Sequence, residues 1–172
     1  MDILAKPKES NMKDAHFQVT AVIPLSSGDT INASGDGVLV KNPNAGRIQL
    51  TASAGSSPFV YEEITVGGKD YSRENGGKWT VKPAGGIVGD FSEAADATYL
   101  GEETLAGGKA WHIKARATED NSPLELWVRE ADGYPLKFIG QSSGAGTLTF
   151  VFDRFNIGAS VSPPPASEVA PG

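Results

Sequence analysis

Four alternating segments separated by glycine turns follow one another between Tyr99 and Pro165, and they constrain this chain more than any other feature. They call for a curved antiparallel sheet with one apolar face. From Lys109 to Thr118, Trp111, Ile113, Ala115 and Ala117 share one parity, and His112, Lys114, Arg116 and Thr118 share the other. Side chains alternate across a strand, so this is a half-buried strand. Leu124, Leu126 and Val128 oppose Glu125, Trp127 and Arg129; Leu136 and Phe138 oppose Lys137; Leu148, Phe150 and Phe152 oppose Thr147, Thr149 and Asp153. Asp132 and Gly133 read as a hairpin turn, and Gly140 to Gly146 as a looser connection.

The first half continues the pattern. Ala15, Phe17, Val19, Ala21 and Ile23 face inward on a first strand, with His16, Gln18 and Thr20 outward. Further strands are expected over Thr30 to Lys41, Gly46 to Ala54, Phe59 to Gly67, Lys69 to Glu74 and Lys78 to Lys82. Asp2 to Asp14 is the best helix candidate, shortened by Pro7 to a start near Lys6. Alternation stops between Pro83 and Thr98, where Asp90 to Ala97 suits one or two helical turns. The fold class is therefore mainly β (α+β). About ten strands form a strongly curved, unclosed half-barrel, with the early helix and a short helical segment near 85–97 covering the concave face. Residues 1–159 make one domain, and the proline-rich 160–172 a disordered tail.

Composition excludes several functions. The formal charge is −6 with no basic stripe, which argues against nucleic acid. The chain has no cysteine, so a thiolate metal site or disulfide framework is impossible, and neither histidine has a partner at metal-ligand spacing. No segment approaches the roughly 18 apolar residues of a membrane-spanning helix. Gly140, Gln141, Ser142, Ser143 and Gly144 spell the letters of a nucleophile elbow, but a strand follows where that motif requires a helix. Glu62 with Glu63 and Glu102 with Glu103 are adjacent on strands, so neither pair converges on one substrate. No catalytic residue, metal or cofactor is expected, and the chain reads as a monomeric non-enzyme. Trp79 and Trp111 are in phase with the core; Trp127 shares the outer parity and is a candidate contact surface.

The order of features carries a family resemblance. A short helix ends in Met12, Lys13, Asp14, Ala15, His16 and Phe17; Ser34, Gly35 and Asp36 open the second strand; Lys69 to Tyr71 precede Lys78, Trp79 and Thr80. Tyr99, Leu100 and Gly101 lead through Gly107 and Gly108 to the Trp111 strand, and Leu126 to Arg129 run into Asp132, Gly133, Tyr134 and Pro135. The chain resembles the LppX/LprG-type envelope lipoproteins of the LolA/LolB-like superfamily. That resemblance implies an exported carrier, tethered to the membrane through a lipobox cysteine upstream of Asp2. Its ligand would be a lipid, or the acyl chain of a lipoprotein, in an apolar concave cavity. Candidate lining residues are Phe17, Val19, Ile23, Ile48, Leu50, Trp111, Ile113, Leu126, Phe138, Phe150 and Phe152. Each buried methylene contributes about 0.8 kcal/mol, so a chain of about 14 carbons gains roughly 10 kcal/mol before entropic costs. The long helical insertion of large-pocket relatives is missing between Trp79 and Tyr99, so a smaller cavity is expected. The alternative is an envelope module using the same sheet for protein contacts.

Overall fold

A computed structural model describes residues 2–54, 57–84, 91, 94–118, 120–142 and 146–171. Among the described residues the chain forms an α-helical turn, α1 (Lys6–Glu9), a 3-10 turn at Ala166–Glu168, and eleven strands: β1 (Asp14–Pro24), β2 (Thr30–Val40), β3 (Ala45–Ala54), β4 (Ser57–Val66), β5 (Lys69–Glu74), β6 (Thr80–Pro83), β7 (Ala95–Leu105), β8 (Gly108–Arg116), β9 (Pro123–Arg129), β10 (Pro135–Ser142) and β11 (Gly146–Phe155). All belong to one sheet in the order β6-β5-β4-β3-β2-β1-β11-β10-β9-β8-β7, antiparallel throughout and not closed into a barrel. The meander read from the alternation is this sheet, with β1 pairing β11 at its centre.

The inner face is the one on which α1 lies. Phe17, Val19, Ile48, Phe150 and Phe152 form one buried cluster with Met12 and Tyr134; Ile113, Leu126 and Val128 form a second with Leu4. The helix starts at Lys6, as Pro7 predicts, but stops at Glu9 instead of running to Asp14. The Ser10 hydroxyl donates to the Pro7 carbonyl at 2.8 Å, and Ser10 itself is extended at ψ 160°. A serine that bonds back to its own turn competes with helix propagation, so the chain straightens and enters β1 at Asp14. Lys41 ties the turn to β2 by donating to the Ser10 carbonyl at 2.6 Å.

Three other expectations change. Leu136 and Phe138 do not share a face, because a register shift between Pro135 and Lys137 adds a residue to β10. A bulge reverses side-chain parity: Phe138 packs inward, while Leu136 joins Ala110 and Trp127 outside. The helical turns expected at 90–97 fall partly outside the described residues, and Ala95 onward is the edge strand β7. The proline-rich segment, expected as a loose end, docks on the outer side of the far edge. Val169 bridges Trp79 in parallel, with Trp79 N–H donating to Glu168 at 2.9 Å and Ala170 N–H to Trp79 at 2.8 Å. Glu168 also meets Arg73, whose guanidinium lies 4.4 Å over the Trp79 ring.

Trp79 is thus buried, at 3% exposure, under the chain's own tail rather than in the inner core. Truncation after residue 158 is expected to shift its fluorescence to the red and to cost about 1 kcal/mol. Emission unchanged in a Trp111→Phe, Trp127→Phe background would show that something else covers the indole.

Candidate functional site

The inner face divides chemically. Strand register puts Tyr61, Glu63 and Thr65 of β4, with Asp70 and Ser72 of β5, on the same side as Ile48 and Leu50. These polar residues satisfy one another. Thr65 donates to Asp70 at 2.5 Å, both buried, and the Tyr61 hydroxyl donates to Glu63. Burial first, then the Glu63 contact, pushes the Tyr61 hydroxyl well above its ordinary range. From β3 through β1 and β11 to β8 the face is apolar.

A cavity of about 300 Å³ opens where the two halves meet. Leu4, Pro7, Lys8 and Met12 form one wall, Leu39, Val40, Lys41 and Ala45 the other, and Pro135 and Phe152 the floor. The volume is at the lower end of the range for small-molecule pockets, about 300–1,000 Å³. A methylene is close in size to a water molecule, about 30 Å³, so the space suits on the order of ten carbons in one chain. Lys8 and Lys41 also line it, with the Lys41 ammonium donating to the Pro7 and Ser10 carbonyls.

The eleven candidate lining residues fall mainly into packed core. Phe17 touches Phe150 and Phe152 edge-on at 5.3 and 5.7 Å, Phe138 meets Phe150 at 5.8 Å, and Phe91 caps Phe138 at 5.0 Å. Val19 and Ile48 belong to the same cluster, with Leu50 packed against it; Ile113 and Leu126 build the second, flanked by Trp111; Ile23 flanks a small third one around Ala21. Among the described residues, Phe152 is the one of the eleven on the cavity wall. Sequence reasoning missed Leu39, Val40, Lys41 and Ala45. Their role depends on α1 lying beside the Lys41 end of β2, where the Lys41 ammonium donates to the Pro7 and Ser10 carbonyls, a contact that no local pattern announces.

The outer face carries both histidines, each between carboxylates of the two flanking strands. His16 has Asp153 at 2.6 Å and Asp36 at 3.5 Å; His112 has Glu103 at 2.7 Å and Glu125 at 3.0 Å. Trp127 has the expected outer parity, but it is buried rather than an exposed contact surface. His112 stacks on it at 3.9 Å, Lys137 lies 4.4 Å over its ring, and its indole N–H donates to Glu103 at 3.0 Å. That donation holds the Glu103 carboxyl below the usual range, aided by His112 and Lys137 and opposed by partial desolvation. A carboxyl depressed in the folded state stabilises above its unfolded pKa and loses that contribution as pH falls through the folded one. The melting temperatures of the protein and of Glu103→Gln should therefore differ at pH 6 and converge as pH falls through and below the ordinary glutamate range. A constant gap over that range would remove Glu103 from the account.

Gly140–Ser142 pairs directly with Gly146–Leu148 as a β-hairpin, with 143–145 outside the described residues. A hairpin is not the strand–turn–helix of a nucleophile elbow. His16 pairs Arg154, eight residues along β11 from the partner of Ser142, or about 27 Å of strand.

No protein-family model matches the sequence, and no curated protein matches it. Solved structures do. An uncharacterized conserved protein from Thermus thermophilus is 16% identical over 97% of this chain and 94% of its own, with a TM-score of 0.60. A LolA superfamily protein from Nitrosomonas europaea is 9% identical over 98% and 96%, with a TM-score of 0.40. MucB in complex with MucA(peri) is 18% identical over 99% of this chain and 59% of MucB, with a TM-score of 0.45. The first shares the fold, and the fold is all that it shows. The other two lie below the similarity at which a common architecture can be argued.

Proposed function

We propose that this chain is a non-enzymatic, extracytoplasmic binding protein that takes a single acyl chain between α1 and the β2–β3 hairpin, in the manner of a LolA-like carrier. The observation that carries the reading is the apolar cavity of about 300 Å³ under α1, walled by Leu4, Met12, Leu39 and Val40, with Lys8 and Lys41 beside it. An anionic head group would sit near those lysines, and the tail would replace water against apolar walls.

The test is solvent extraction of natively purified protein with mass spectrometry, beside titration with a fluorescent ten-carbon fatty acid. Leu39→Trp fills the cavity and is expected to weaken saturable, stoichiometric binding at least about ten-fold, as loss of a few buried methylenes would, with the melting temperature retained. An empty protein that fails to bind, or binding indifferent to Leu39→Trp, refutes the site.

A second reading is an envelope module for protein contacts. The mutual packing of Phe17, Phe138, Phe150 and Phe152 favours it, because rings that fill the inner face leave little room for a large lipid.

A further inference from the structure

The two edges of the sheet are treated differently. An open edge strand is a template for another chain unless it is short, charged with lysine, interrupted by proline or covered. β6 has four residues, contains Lys82, ends in Pro83 and is followed outward by the tail at Trp79. β7 has eleven residues with neither lysine nor proline, and among the described residues no strand lies beyond it. Its first half is irregular, with register shifts at Ala95/Thr98 and Tyr99/Gly101, so regular pairing is confined to 101–105.

Main-chain groups there face outward at known positions. The Lys109 carbonyl accepts from the N–H of Glu130, the residue after β9, at 3.0 Å, so its peptide groups turn away from β7. Thr104 is opposite Lys109. In an antiparallel non-hydrogen-bonded pair both residues point their N–H and C=O groups outward, which leaves those of Thr104, and by alternation Glu102, directed at solvent.

The chemistry beside this edge is acidic and aromatic. β7 carries Asp96, Glu102 and Glu103 and no base. Glu103 is engaged by Trp127 and His112 on the outer side. On the inner side Glu102 is opposite Trp111, and Tyr99 is 52% exposed. Tyr99 has its hydroxyl pushed up, first by desolvation and then by the charges of Glu102 and Glu130. Glu130 Oε1 is buried with no hydrogen-bond partner among the described residues. A second copy pairing through β7 would set acid against acid, which is unfavourable across strands.

We propose that the 101–105 edge of β7 binds an extended, lysine- or arginine-bearing segment of a partner protein, which adds to the sheet as a further antiparallel strand. Main-chain bonds to Glu102 and Thr104 would give affinity. Basic side chains on the inner side would meet Glu102, Glu130 and the Tyr99 ring, giving charge selectivity.

The experiment titrates the whole chain at low salt with a ten-residue peptide alternating lysine and valine, and with its glutamate–valine counterpart, while amide exchange is followed. The expected result is saturable binding of the lysine peptide alone, protection of the Glu102 and Thr104 amides, and weakening by added salt. Glu102→Lys should reduce affinity about ten-fold, and Thr104→Pro should abolish binding without touching the β8 ladder. If Thr104→Pro unfolds, Glu102→Lys decides alone, since its side chain is exposed. Equal binding of both peptides, protection only elsewhere, dimerisation through β7, no binding, or indifference to Glu102→Lys overturns the proposal. None of these outcomes depends on the acyl cavity, which lies under α1.

Discussion

Phe17→Ala is expected to destabilise the fold by about 4 kcal/mol, the largest loss for any single side chain in this sheet. Phe17 is 0% exposed at the centre of the sheet, on β1 between β2 and β11. Its ring meets Phe150 and Phe152 edge-on, an arrangement that adds to the simple burial of area. Opposite it on β2 is Gly37, where a Cβ would come within 2.5 Å of the Phe17 ring. The ring therefore fills space that its neighbour leaves open, and nothing adjacent can swell into the hole. Phe152 also floors the cavity, so the same change loosens that wall. Urea denaturation with an unchanged slope should show the loss, and Phe17→Leu should recover more than half of it. A cost below about 1 kcal/mol would mean that the inner face collapses freely and is not tightly packed.

Gly35→Ala is expected to cost about 3 kcal/mol or to prevent folding, although it adds one methyl group. Propensity alone has the opposite sign, because alanine in place of a strand glycine gains about 0.5–1 kcal/mol. The close approach of β3 decides. A Cβ at Gly35 would lie 1.7 Å from the Gln49 carbonyl oxygen and 2.8 Å from its carbon. Both are backbone atoms in the β2–β3 ladder, so they cannot move without breaking it. Glycine in a strand interior often marks such a bend or close approach, and here it lets β2 and β3 curl toward the inner face. Ser34→Ala, its exposed neighbour, is the control and should change stability by less than about 0.5 kcal/mol. Stabilisation by Gly35→Ala would show that the two strands are not held this close.

Much of this architecture is legible in the residues. The strict alternation of Ala15 to Ala21, Trp111 to Ala115 and Leu124 to Val128 returns as inner-face burial, because period 2 with one apolar parity has a single low-energy placement. Asp132 and Gly133 make the expected turn, with Gly133 at φ +76° beside α1. The candidate site was less legible. Phe17, Phe138 and Phe150 were expected on a ligand and are found mainly on one another, since alternation reports which face is apolar and not whether that face is filled.

By itself the sequence determined that this chain is a one-layer antiparallel sheet with an apolar side, since side-chain parity and turn residues are local and each strand carries its own. Tertiary structure decided the rest. A single added residue at Leu136 moved an apolar side chain to the outer face, and side chains from three strands buried Trp127 there. The tail found Trp79 at the far edge of the sheet, and α1 settled beside the Lys41 end of β2 to leave a cavity. These contacts join residues far apart in the chain, and their free energy depends on how complete surfaces fit together, which a local pattern does not encode.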